Sequence, residues 1–187
     1  FMINDVSDLI ISDIVRLFPI TFLLIALVLF IGFRSARGII LPILTAGISI
    51  IWTIGLMVLL GYELTIISNT IPIILLAVGS AYTIHVVNRI SQQSQFNQEK
   101  SLINALSYVI VPVVLAAGTT MVGFISFVFG AYLLMIRDFG IFTALGVFFA
   151  FILSSFFTPA IISIFSRTKE KSPEKLIQST KKFNKGL

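Results

Sequence analysis

Five long apolar runs joined by short polar connections constrain this chain more than any other feature. They occupy residues 17–33, 38–60, 65–87, 107–130 and 139–165, each near the roughly 20 residues a helix needs to cross a bilayer. In hydrocarbon every backbone N–H and C=O must be satisfied within the protein, which leaves helices or closed barrels. No strand periodicity competes, so the expected fold is an all-α integral membrane protein, a five-helix transmembrane bundle. Prolines fall early in four runs (Pro19, Pro42, Pro72, Pro112) and late in the fifth (Pro159). Early in a helix a missing amide donor costs little; elsewhere it gives a mild kink.

Orientation follows from charge. With the N-terminus outside, the cytoplasmic parts hold eleven of the thirteen basic residues, and only Arg16 and Arg137 lie outside, as the positive-inside rule prefers. Asp5, Asp8, Asp13, Glu63 and Asp138 fall on the external side. The net charge of +5 is thus explained by membrane topology, and no nucleic-acid partner is expected. The expected location is the inner (plasma) membrane of the cell, crossed several times.

Residues 1–14 read as an acidic, amphipathic lead-in, with Val6, Leu9, Ile10 and Ile14 on one face. Residues 15–166 form the membrane domain. Residues 167–187 form a basic cytoplasmic tail or linker that either lies on the anionic leaflet as a helix or stays solvated. The opening FMINDVSDLIISD has no positive n-region, apolar h-region or cleavage site, and the chain reads as a piece of a longer one. The glutamine-rich connection at residues 91–106 reads as interfacial.

Within the third run, LAVGSAYTIHVVNR (residues 76–89) sets the chain's only histidine among apolar residues. Tyr82 and His85 are three apart and share a helix face, which continues into Asn88 and Arg89. Gly79, Ser80 and Ala81 precede them as three small residues that let another helix approach closely. An ionisable group in a membrane segment is a functional candidate by default. His85 is also only about 6 Å along the axis from Arg89 at 1.5 Å per residue, so an interfacial, merely hydrogen-bonded histidine is the alternative. The fourth run carries Thr119 and Thr120 among Gly118, Gly123 and other small residues. Their hydroxyls suit either helix packing or a transport path. Trp52 is assigned to packing. Asn69 could satisfy helix-end donors or line a vestibule.

The chain has no cysteine, one histidine, and no Asp or Glu inside an apolar run, so neither a metal site nor a cofactor is expected. Paired carboxylates, a nucleophile with a histidine and an acid, and a phosphate-binding glycine loop are all missing, and no enzyme is expected.

Four stretches taken together resemble a known family: FRSARGIILPILTAGISIIWTIGLMVLLGYELT, IPIILLAVGSAYTIHVVNRI, VPVVLAAGTTMVGFISF and IRDFGIFTALGVFFAF, closed by Pro159. In this order they resemble the resistance-nodulation-division (RND) superfamily, in the branch of predicted exporters related to MMPL proteins and sterol-sensing domains. The resemblance implies five helices that follow an external porter domain, as half of a transporter's membrane domain. It implies proton-driven efflux of a lipid or other hydrophobic substrate, with the porter domain and a second membrane half as partners. A lipid-binding regulatory module that does not transport is the alternative. Relatives carry an acidic residue where this chain has Ala81, beside the tyrosine matched by Tyr82. His85, one turn on, is then the nearby side chain whose ordinary pKa lies close to physiological pH. The implied proton relay is His85, Tyr82, Thr119 and Thr120, with Gly79, Ser80, Ala81, Gly118 and Gly123 packing beside it.

Overall fold

A computed structural model describes residues 2–33, 36–93 and 98–167 of the chain. All of its regular structure among these residues is helical: α1 (Met2–Phe33), α2 (Ala36–Leu59), α3 (Ile71–Gln93), α4 (Gln98–Gly130), α5 (Leu134–Ile152) and α6 (Thr158–Arg167). A 3-10 turn, Ser68–Thr70, leads into α3, and a π-helical turn, Leu153–Phe157, joins α5 to α6. Five stretches are long and apolar enough to cross a membrane: Val15–Gly32, Gly38–Leu59, Ser68–Ile90, Ser107–Gly130 and Leu134–Ile164. The chain is therefore an all-α membrane bundle of five spans. Residues 168–187, where the basic tail was expected, and residues 94–97 of the interfacial connection lie outside the described residues.

The acidic lead-in and the first span form one unbroken helix that carries Pro19 in its interior. The third helix starts later than its apolar run. Thr65 Oγ1 accepts the Ser68 N–H at 3.2 Å and lies 2.9 Å from Ser68 Oγ, which shapes the turn before α3. Pro72 then falls in the first turn of α3, where its missing donor would have had no partner within the helix. The second helix ends at Gly61, whose φ of +77° is open to glycine at little cost. There the Gly61 N–H donates to Val58 O and the Tyr62 N–H to Met57 O, so the last carbonyls of α2 are satisfied in a Schellman turn.

The central element is α3. Half of its span is buried inside the bundle, against 6% for α1 and 11% for α4. It packs on α2, α4 and α5 and on the π turn. Close approach depends on small residues: a side chain at Gly79 would sit 3.3 Å from Ala150 Cβ and 3.4 Å from Ala46 Cα, so α2, α3 and α5 meet almost backbone to backbone there. One turn away along α3 and α5, Gly146 leaves room for Leu75 and Thr53. Along α4, Phe124 and Phe127 pack on Phe139 of α5, and Gly140 lies against the Phe124 carbonyl.

The interior is rich in hydroxyls. Thr45, Ser49 and Thr53 follow one another at every fourth residue of α2 and are fully buried. Each hydroxyl has a carbonyl acceptor on its own helix, Leu41 O and Pro42 O for Thr45, Ala46 O for Ser49 and Ser49 O for Thr53. Thr45 Oγ1 also meets Thr83 Oγ1 of α3 at 2.7 Å. Such bonds satisfy polar atoms that lipid could not. Trp52, one residue off this stripe, stays half exposed and turns its ring edge to Phe149 of α5 at 5.7 Å.

The fifth span is not a single α-helix. Pro159 has no N–H to offer, and just before it the Thr158 N–H reaches back five residues to Leu153 O. One extra residue is thereby held in the turn, which leaves Ser154 and Ser155 buried. Ser154 Oγ donates to Phe151 O at 2.9 Å, whereas Ser155 Oγ has no hydrogen-bond partner.

Candidate functional site

The polar face of α3 opens into a cavity of about 710 Å³ between α3 and α4. It lies at the end of the bundle where α3 finishes and α4 begins, away from the Gly61 and Ala131 turns. Ala81, Tyr82, His85 and Arg89 contribute from α3, faced by Tyr108 and Ala116 of α4. The spacing that puts Tyr82, His85 and Arg89 at successive turns of one helix gives them one wall.

Tyr82 is the deepest of them. It is 5% exposed, and its ring belongs to the core cluster that includes Val113 and Ala117. Its hydroxyl makes no well-formed hydrogen bond, although Thr120 lies close to it. Thr120 Oγ1 donates its own proton to Ala116 O at 2.8 Å, which leaves its lone pairs able to accept one from Tyr82. His85 sits one turn nearer the helix end, exposed to the cavity. Beyond it, the Arg89 guanidinium lies 5.2 Å from the centre of the Tyr108 ring, within cation–π range.

The structure thus sets Tyr82 and His85 in one wall, with Thr120 beside the Tyr82 hydroxyl. Thr119 is exposed and bonded to the same Ala116 carbonyl at 3.0 Å, and neither threonine is part of the cavity wall. Gly79 and Ser80 face the bundle interior. Gly79 meets α2 and α5, and Ser80 is buried and donates to Ala77 O at 3.0 Å. Ala81, where the resemblance implies a carboxylate, lines the cavity with a methyl group. A Cβ added at Gly118 or Gly123 would meet nothing within 4 Å, so no other described helix approaches closely there.

Sequence reasoning missed two features. Tyr108 and Arg89 pair across the cavity mouth, a contact between residues 19 apart that no local spacing announces. The buried hydroxyl ladder of α2 did leave a signal, since Thr45, Ser49 and Thr53 repeat at i+4 on one helix face. Among the described residues no group of three or more His, Cys, Asp or Glu could hold a metal ion.

Comparison with known proteins gives two kinds of match. The model of the family described as MMPL family matches residues 1–184. Over 145 residues the chain is 32% identical to "Putative membrane protein MJ1562" of Methanocaldococcus jannaschii, covering 76% of this chain and 37% of that protein. Over 155 residues it is 29% identical to "Hopanoid transporter HpnN" of Rhodopseudomonas palustris, covering 82% of this chain and 18% of that protein. The chain therefore spans well under half the length of these relatives. No solved structure matches.

Proposed function

Because this chain belongs to the MMPL family, we propose that it forms five membrane helices of an RND-type exporter that uses the proton gradient to move a lipid or other hydrophobic substrate outward. The observation that carries the reading is the Tyr82–His85 wall opening on the α3–α4 cavity, with Thr120 next to the Tyr82 hydroxyl. Similarity to a protein named a hopanoid transporter supports a hydrophobic, lipid-like cargo.

In this mechanism His85 takes up a proton from the cavity. The imidazolium is costly in a membrane interior, so protonation changes which arrangement of α3 against α4 is lowest in energy. Tyr82 and Thr120 supply hydroxyls through which the charge is solvated or the proton passed on, in place of the carboxylate that Ala81 does not provide. The shift of α3 reaches α2 and α5 directly, because the contacts at Gly79 and Gly146 leave little room to slide without moving a neighbour. A porter domain and a second membrane half complete the proposed transporter, which resides in the plasma membrane.

The test is efflux from cells or proteoliposomes by the full-length protein carrying His85→Ala or Tyr82→Phe, measured across external pH. Proton drive through this wall predicts that His85→Ala loses at least about a hundredfold in rate, the lower end of the range for removing a proton-transfer group. It also flattens the pH profile, while Tyr82→Phe keeps the fold and loses part of the rate. Full-rate transport with an unchanged pH profile in the alanine variant would sink the assignment.

A further inference from the structure

The cavity mouth has a chemistry of its own that proton transfer does not use. Among the described residues, Arg89 is the only side chain of fixed charge lining the cavity, and no carboxylate lines it. Among the described residues it has no acidic partner; its contact is the face of Tyr108 at 5.2 Å. A guanidinium held over an aromatic face by its charge keeps N–H groups free for the bidentate grip on two oxygens of a phosphate. His85 and Asn88 add polar groups on the same side, while Pro112, Val109 and Val113 make the α4 wall apolar.

These groups are ordered along the membrane normal. Arg89 is the last residue but one of the apolar span Ser68–Ile90, which puts it near headgroup level in a bilayer that α3 crosses. The apolar wall runs inward from there. A cavity of about 710 Å³ falls within the range of sites that hold small ligands. Positive charge at the mouth and hydrocarbon-like walls beyond it match an anionic lipid entering head outward.

We propose that the α3–α4 cavity is a binding site for an anionic phospholipid, whose phosphate is held by Arg89 on its Tyr108 platform and whose acyl chain lies along Val109, Pro112 and Val113. Basic pockets between membrane helices bind lipid headgroups by the same complementarity. The inference needs the bundle to lie in a bilayer and is independent of proton drive or the direction of transport. Loss of the His85 assignment would leave it standing.

The experiment reconstitutes the full-length protein in nanodiscs containing a phosphatidylglycerol with a photoreactive diazirine in mid-chain, and maps the cross-linked residues by mass spectrometry. Labelling is expected on the facing surfaces of α3 and α4, and it is displaced by unlabelled phosphatidylglycerol but not by phosphatidylcholine. Arg89→Gln should lower it roughly fivefold, the factor one basic residue contributes at an anionic membrane surface. Arg89→Lys, which keeps the charge and loses the planar stack, should fall between. Tyr108 is 68% exposed, so Tyr108→Leu leaves packing intact and provides a second variant expected to reduce labelling. Equal labelling by a phosphatidylcholine probe, or unchanged labelling in both the Gln and Leu variants, would overturn the proposal. So would labelling by a photoreactive fatty acid that phosphatidylglycerol fails to displace, since that would mark a site for a free acidic amphiphile.

Discussion

At the scale of single residues, the glycines divide sharply by what surrounds them. A Cβ at Gly140 would come 2.5 Å from the Phe124 carbonyl oxygen, a backbone atom that cannot swing aside, whereas one at Gly118 would enter open space. Gly140→Ala should cost about 1–3 kcal/mol through forced displacement of α4 from α5. Gly118→Ala should change stability by no more than about 0.5 kcal/mol. Thermal unfolding in one detergent compares the two, and equal melting temperatures would contradict the packing described for α4 and α5. Glycine content alone could not have separated them, because both lie in apolar helices and the difference comes from a partner distant in sequence. The Tyr82 and His85 face was legible, since a lone histidine three residues from a tyrosine makes a pattern in any helix. That Thr120 joins them and Thr119 does not was hidden, because adjacent residues point about 100° apart on a helix with 3.6 residues per turn and only the docking of α4 decides which one turns inward.

At the scale of elements, the α2–α3 pair is held by small side chains and one hydroxyl contact. Thr45 and Thr83 each also have a carbonyl acceptor on their own helix, and since a hydroxyl carries one proton, the bridge between them uses the proton of one and leaves the other's local bond in place. Thr83→Val keeps the shape and removes the bridge. The loss should be modest, about 0.6 kcal/mol, the mean for hydrogen bonds between membrane helices. A double-mutant cycle with Thr45→Val reads the coupling, and a value above about 2 kcal/mol, beyond the largest seen in such cycles, would mean the pair does more than add one bond. The five spans themselves were legible from sequence because the bilayer sets a minimum apolar length. Their internal detail was not: Pro159 announced a break in the hydrogen-bond ladder without saying whether a kink, a stop or a π turn would absorb it.

At the scale of the whole molecule, the bundle buries α3 and leaves the outer faces of α1 and α4 covered with large apolar side chains, among them Phe30, Ile31, Leu115 and Val122. Such faces suit hydrocarbon or another membrane element. The orientation read from charge is open to a direct measurement, because the chain has no cysteine. Single cysteines at Tyr132, which is 98% exposed, and at Lys100 should react oppositely with a membrane-impermeant maleimide added to intact cells expressing the full-length protein. Tyr132→Cys is expected to label at once and Lys100→Cys only after permeabilisation. The reverse pattern would invert the bundle and place the cavity mouth on the outer surface.

The π turn of the fifth span also works as a spare link in a chain. It stores one residue beyond what α-helical winding requires, and with that residue in place Ile162 of α6 packs against Val86 and Ile90 of α3. Rewinding the turn as ordinary α-helix would rotate everything beyond it by about 100°, one residue's share of a helical turn, and would carry Ile162 off α3 without breaking the span. Deleting one residue within 153–157 removes the slack and keeps the phase. The hold of α6 on the end of the bundle that carries Arg89 therefore depends on the winding of a single turn.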